Sequence, residues 1–208
     1  MKKLICVLLA LVLALAPVSA FAEEYYTGYR SDRNTFDKDE VASPRQGIYV
    51  DDWYDYDMPY IIKVDRTNQL ISIYEESSPG YYDVLTKRYI CSTGTKKDPT
   101  PKGMFTLSDA SRKEWRYFKT YKTYVRYGVH IEGNYFFHSL LYSKPDTSTM
   151  SKTSYKKLGS PASHGCIRML DDDIKWMFEK CLAGTRVYVM DCEKDEELHD
   201  KYMPEPLN

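Results

Sequence analysis

Tyr60-Ile61-Ile62-Lys63-Val64 and Gln69-Leu70-Ile71-Ser72-Ile73-Tyr74, joined by Asp65-Arg66-Thr67-Asn68, decide the fold class of this chain. Both runs are rich in β-branched and aromatic residues, which suit a pleated and half-buried surface. The four residues between them are turn formers, so the segment reads as a β-hairpin. Ser77-Ser78-Pro79-Gly80 makes the next turn, and residues 89–92 read as a further strand. Pro99 and Pro101 rule out a central strand in 94–103, because proline cannot donate to a ladder. β character resumes over 103–107, and 123–131 and 134–140 read as two strands joined at Glu132-Gly133. Residues 142–163 are rich in Ser, Thr, Lys and Pro and are expected to be a long loop with room for one helical turn.

The one main helix begins at Asp171-Asp172-Asp173, with Ile174, Met177, Phe178, Cys181 and Leu182 at helical spacing. Acidic residues at its start suit the helix dipole, and Gly184 is the expected stop. Residues 186–190 make a closing strand. The expected fold is therefore mainly β, with one main α-helix packed against a sheet.

Outside this region the composition changes. Met1-Lys2-Lys3, an apolar run over 4–15, Pro17 and Ala20-Phe21-Ala22 have the layout of a secretory signal peptide covering 1–22. The apolar run is shorter than the roughly 20 residues that span a bilayer. Cys6 lies inside that run, well before the cleavage site, and does not look like a lipoprotein cysteine. Residues 23–56 form a Tyr- and Asp-rich lead-in, read as solvated rather than as a core element. The catalytic unit is assigned to 57–192 and an acidic tail to 193–208. Removing 22 of the 208 residues leaves 186, enough for one domain with a proper core. Loss of Lys2 and Lys3 takes the formal charge from −1 to −3, so nucleic acid is an unsuitable partner. Tyr is abundant, at 20 residues against 7 Phe, and pairs an apolar ring with a polar tip that favours wet grooves. Four cysteines remain after processing: Cys91, Cys166, Cys181 and Cys192. If one is a catalytic thiol, at most one disulfide can form, and Cys181 with Cys192 is the conceivable pair.

Ser163-His164-Gly165-Cys166-Ile167-Arg168-Met169 carries the chemistry. A cysteine attacks as thiolate and needs a nearby base or positive field. Small residues beside Cys166 let the backbone approach a substrate, and N–H groups near Gly165 and Cys166 can face a developing oxyanion. Arg168 stands near enough to hold a substrate carboxylate or to order the loop. Of four histidines, His199 lies in the tail and His130 among aromatics. His164 sits two residues before the thiol, where an extended loop often turns a side chain away. His138 ends an apolar strand and can be held rigidly as the base, with Ser139 or a backbone carbonyl as the third group. A lone cysteine is more often a small buried hydrophobe, and Arg168 can simply pair with 171–173. No C-x-x-C or H-x-x-x-H spacing marks a metal site, and no cofactor is called for.

The 163–169 stretch resembles the signature of the YkuD-type L,D-transpeptidase family. His138-Ser139 is similar to its other catalytic block. Thr93-Gly94 and Thr100-Pro101-Lys102-Gly103-Met104-Phe105 resemble its Thr-Gly and Thr-Pro-x-Gly-x-Phe segment. The Asp173 helix and Gly184-Thr185-Arg186-Val187-Tyr188-Val189 resemble its closing elements, so the likeness spans 57–191. One departure is a longer insert between His138 and Ser163, expected to form an enlarged lid.

The resemblance implies a β-sandwich or barrel-like core and an exported enzyme of the cell wall. Cys166 would attack a peptidoglycan tetrapeptide stem, release D-alanine and form a thioester. A neighbouring stem's amine would then give a 3→3 cross-link, whereas water would give carboxypeptidase activity. His138 would take the thiol proton, with Ser139 beside it. Ser163, His164 and Gly165 would shape the oxyanion loop, and Arg168 would support the loop or touch the substrate. Carbapenems would acylate Cys166, and nothing implied fixes the oligomeric state. Rival readings are a sortase, whose Arg lies further beyond its Cys, and papain-like or NlpC/P60 peptidases, which run Cys before His. A wall-binding protein that kept the fold and lost turnover is a rival of another class.

Overall fold

The structure, a computed structural model, describes residues 29–30, 35–36, 41–52, 56–131 and 133–207. The signal-peptide reading of 1–22 lies outside them. β1 (Tyr29–Arg30) and β2 (Thr35–Phe36) pair antiparallel as a separate small sheet. Nine further strands follow: β3 (Ile48–Tyr49), β4 (Tyr60–Asp65), β5 (Leu70–Ser78), β6 (Tyr81–Ile90), β7 (Gly103–Phe118), β8 (Thr123–Ile131), β9 (Phe136–His138), β10 (Ile167–Arg168) and β11 (Arg186–Met190). They form one mixed sheet in the order β10-β9-β8-β7-β11-β4-β5-β6-β3. Three helices are described, α1 (Lys152–Lys156), α2 (Asp171–Lys180) and α3 (Glu196–Lys201). The fold is thus mainly β with one main helix.

The β4–β5 hairpin forms as the sequence indicates, with Ile62 opposite Ile73 and Val64 opposite Ile71. Asp65 closes its turn by accepting the Thr67 and Asn68 N–H groups at 2.9 and 3.1 Å. The closing strand β11 enters between β4 and β7, parallel to the first and antiparallel to the second. Strand β7 links the two halves of the sheet. Its start pairs with β11, and from Leu107 onward it pairs with β8, with a register shift between Ser108 and Lys113. Such a shift bends a strand and turns a corner. The main core lies in that bend, where Ile62, Val64, Ile73, Val129, Phe137, Ile167, Val187 and the α2 residues Ile174 and Met177 are all fully buried.

Four readings change. First, residues 42–52 and Tyr56 are not merely a solvated lead-in. Ala42, Ile48, Val50 and Tyr56 are buried with Ile61, Tyr74, Tyr82 and Tyr188 on the other face of β4, β5 and β11. The signal was present in β4: a strand buried on both faces reads as a continuous apolar run rather than an alternation. Lys63 is buried there too, donating to the Ser43 and Gln46 carbonyls at 2.6 and 2.9 Å.

Second, the segment set apart as an acidic tail carries α3 and contributes a buried residue to the fold. Asp195 caps α3 through the Leu198 N–H at 2.9 Å, and Leu198 packs with Leu70, Ile90, Leu140 and Leu158. Third, all four described cysteines are free. Cys181 faces the main core and Cys192 the cluster across the sheet, so no bridge can join them. Fourth, β6 is longer than the strand expected at 89–92, and β9 is shorter than 134–140. The main helix ends at Lys180, and Gly184 instead serves the turn into β11 at φ +93°.

Candidate active site

Strands β9 and β10 bring the two sequence blocks together. They are parallel, with Phe137 opposite Ile167 and His138 opposite Arg168. Side chains alternate along a strand, so His138 and Arg168 share a face, and Cys166, two residues before Arg168, lies toward the same side. All three line one cleft of about 960 Å3, within the size range of small-molecule sites.

His138 is only 2 % exposed, and its ring packs edge-on against Phe118 at 5.5 Å. Its Nδ1 lies 2.6 Å from the Ser139 carbonyl. A carbonyl only accepts, so Nδ1 carries the proton and Nε2 is left as an acceptor. Burial, and then the neighbouring Arg168 charge, push His138 down to about 3, against the pull of the Ser139 carbonyl. The Ser139 hydroxyl is engaged elsewhere: it accepts the Arg126 N–H at 2.7 Å and donates to the Leu140 carbonyl at 2.7 Å. The third group beside the histidine is thus a backbone carbonyl rather than the serine hydroxyl.

Cys166 is half-buried. Burial pushes its thiol up, while the Phe136 N–H and the Arg168 charge pull it down. The loop before it is built to close tolerances. Ser163 accepts the Gly165 N–H at 3.0 Å and donates to the Cys166 carbonyl. Thr100 donates to the Gly165 carbonyl at 2.8 Å and accepts the Gly94 N–H at 2.9 Å, which gives Thr100 in the early motif a structural task. Gly165 itself has φ +108°, and a Cβ there would stand 2.6 Å from Tyr135 Cε1. Because Ser163 takes the Gly165 N–H, that group is not free to face an oxyanion.

His164 is exposed and stacks on Tyr121 at 4.7 Å, closing the cleft on the side of the β7–β8 turn. His199 donates to or accepts from nothing in the cleft; its Nδ1 meets the Asn68 carbonyl at 2.9 Å. His130 meets the Gly133 carbonyl at 2.6 Å. The cleft therefore takes His138 and His164 and leaves the other two out.

Sequence reasoning missed the walls. Phe118 comes from the end of β7, Tyr121 and Lys122 from the β7–β8 turn, and Tyr135 from the turn before β9. Leu141, Tyr142 and Ser151 come from the insert, which is ordered by α1 and lines the cleft. Tyr142 donates to Asp171 at 2.5 Å, and Asp171 meets Arg126 at 3.4 Å, so the insert wall is tied to α2 and β8. The abundance of tyrosine was the available signal, but it did not say which rings face the cleft.

With this geometry in place, likeness to known proteins becomes informative. Residues 59–189 match the model of the YkuD family, the L,D-transpeptidase catalytic domain. This chain belongs to that family. It is similar to the putative L,D-transpeptidase YciB of Bacillus subtilis (strain 168), with 38 % identity over 97 residues. That match covers 46 % of this chain and 48 % of YciB, so the chain matches about half the length of this relative. Among solved structures, an L,D-transpeptidase from Mycobacterium smegmatis aligns at 18 % identity and TM-score 0.50, over 64 % of this chain and 58 % of that one. The L,D-transpeptidase LdtMt1 in complex with imipenem aligns at 17 % identity and TM-score 0.50, over 64 % and 59 %. These two likenesses concern the fold.

Proposed function

We propose that this YkuD-family chain is a cell-wall L,D-transpeptidase that works by acyl transfer through Cys166. The observation that carries the reading is the His138 Nδ1–Ser139 carbonyl contact at the end of a strand paired with β10, which Cys166 immediately precedes, over a shared cleft. It fixes the tautomer in which Nε2 can accept a proton from the thiol side. Cys166 Sγ attacks the carbonyl of the third stem residue as His138 takes its proton. The C–N bond to the terminal D-alanine breaks, His138 returns the proton to the leaving amine, and a thioester remains. A second stem's amine attacks that thioester, His138 takes its extra proton, and a 3→3 cross-link leaves with Cys166 restored as thiol. Water in place of the amine gives carboxypeptidase activity by the same steps. With the Gly165 N–H held by Ser163, the oxyanion donors we assign are the His164 and Cys166 N–H groups.

Work on peptidoglycan places the enzyme outside the cytoplasmic membrane, in keeping with the signal-peptide pattern of 1–22. Carbapenems are expected to acylate Cys166, by analogy with the imipenem complex of LdtMt1. The test incubates the mature protein with a disaccharide-tetrapeptide and reads protein mass and products together. Loss of D-alanine with 3→3 dimers, absent in Cys166→Ala and His138→Ala, supports the reading. Loss of D-alanine without dimers makes the protein a carboxypeptidase. No acyl-enzyme, no product and no carbapenem adduct would overturn the enzymatic reading in favour of a wall-binding protein.

A further inference from the structure

Arg168 differs from the arginines that meet carboxylates, and from Arg88 and Arg112, which donate to hydroxyls and backbone carbonyls away from the cleft, in lining the catalytic cleft itself. Arg45 meets Asp195, Arg66 meets Asp191, Arg126 meets Glu114 and Asp171, and Arg186 meets Asp52. Arg168 has no carboxylate partner among the described residues. Its Nη1 donates to the Ala162 carbonyl at 3.0 Å, while its Nε is buried without any partner. A buried guanidinium N–H left unpaired is costly, and a carboxylate satisfies two such donors at once. The enclosed Nε is out of a ligand's reach, but the side chain is only partly buried and lines the catalytic cleft, so its accessible guanidinium edge can meet a ligand carboxylate.

We propose that Arg168 reads the free α-carboxylate of the leaving residue, so that Cys166 cuts only the last peptide bond of its donor. This rests on the acyl-transfer reading above. His138 and Arg168 are register partners on adjacent strands, about 4.8 Å apart in backbone spacing. The leaving residue needs its amine beside His138 to receive a proton, and its carboxylate carbon is two bonds further on, about 2.5 Å away. With the amine at His138, the carboxylate therefore lies toward the cleft face that His138 and Arg168 share. A chain continuing past this residue replaces the carboxylate with a neutral amide and leaves Arg168 unpaired. A seated carboxylate also offsets the positive field that Arg168 puts on the His138 ring, which makes the base stronger when the correct donor is bound.

The test compares two donors that differ in one group, a disaccharide-tetrapeptide ending in D-alanine and its D-alaninamide form. Acyl-enzyme formation on Cys166 is followed by intact-protein mass spectrometry in the parent, Arg168→Gln and Arg168→Lys. The parent should acylate about ten to a hundred times faster with the acid, the effect of one charged hydrogen-bonded pair. Arg168→Gln should bring the ratio near one, and Arg168→Lys should keep part of it. The ratio is internal to each protein, so loosening of the Ala162 contact affects both donors alike. Equal rates with acid and amide in the parent overturn the assignment while leaving the enzyme reading intact. A preference kept by Arg168→Gln also overturns it, and one lost only in Lys122→Gln moves the carboxylate to Lys122. Should Arg168→Gln fail to fold, the parent and Arg168→Lys ratios still decide. No acylation by either donor in the parent is instead the failure of the acyl-transfer reading.

Discussion

His138 and Arg168 stand opposite each other across the parallel β9–β10 pair, so a permanent positive charge adjoins a buried imidazole. The thiol of Cys166, held up by burial, lies on the same side of that pair. A charged imidazolium is therefore disfavoured before substrate arrives, and the resting pair is neutral thiol and neutral imidazole. The proton moves during attack, which is general-base catalysis rather than a standing ion pair.

A pH dependence of stability follows. Folded His138 takes a proton only near pH 3, whereas an unfolded histidine does so near 6.5. The unfolded chain thus binds more protons between those values, and stability rises with pH through the window. The contribution is complete above about 6.5 and is lost as pH falls toward 3, at about 1.4 kcal/mol per pH unit. Urea midpoints at pH 7 and pH 5 should fall further apart in the parent than in His138→Asn, by the equivalent of about 2 kcal/mol. Equal separations in the two proteins would refute the buried neutral histidine.

Gly165→Ala should be more damaging than its size suggests. It places a side chain at φ +108° and 2.6 Å from the Tyr135 ring, in the loop that positions Cys166. Backbone strain of this kind costs on the order of 1–3 kcal/mol, and displacement of the thiol by an ångström can cost about 100-fold in rate. Adding Tyr135→Ala should restore only the steric part. Full recovery of acylation in the double variant would show that the left-handed backbone is not required.

Thiol labelling separates the cysteines. All four thiols are pushed up by burial, but Cys91, Cys181 and Cys192 are enclosed whereas Cys166 opens to the cleft. Folded protein prepared without residues 1–22, and so without Cys6, should gain one iodoacetamide adduct, on Cys166, and reductant should leave its melting temperature unchanged. A melting temperature that drops with reductant would reinstate a disulfide.

How much could be read from the chain depended on where each signal resided. The β4–β5 hairpin, the α2 start and the Cys166 loop are local, and their residues carry the reason for the structure within a few positions. The pairing of His138 with Arg168 is not local, because 28 residues of insert and catalytic loop separate the two strands and only the parallel ladder defines the neighbours. The Ser139 hydroxyl was indistinguishable from its carbonyl in sequence, since both belong to one residue. Burial of residues 42–52, of Tyr56 and of α3 was not legible in those segments themselves, because their apolar residues are few and widely spaced; only the apolar run of β4 hinted at a covered second face. Ile48, Val50 and Leu198 contribute by meeting a surface already formed by distant strands.

Leu198 gives the last of these points a test. Its side chain is 2 % exposed and fills a cluster with Leu158 of the insert and Leu140 just after the catalytic histidine strand. The same stretch of insert is pinned by Ser92 Oγ to the Lys157 carbonyl at 2.9 Å and by the Gly159 N–H to the Cys91 carbonyl at 3.1 Å. Leu198→Ala leaves a cavity under that wall and should cost about 2–5 kcal/mol in urea unfolding. Because the wall carries Tyr142 and Ser151 rather than the reacting atoms, KM for the donor should rise more than kcat falls. An unchanged urea midpoint would make the C-terminal helix a passenger. A lowered midpoint with KM unchanged would instead confine its role to stability and free the insert wall from dependence on it.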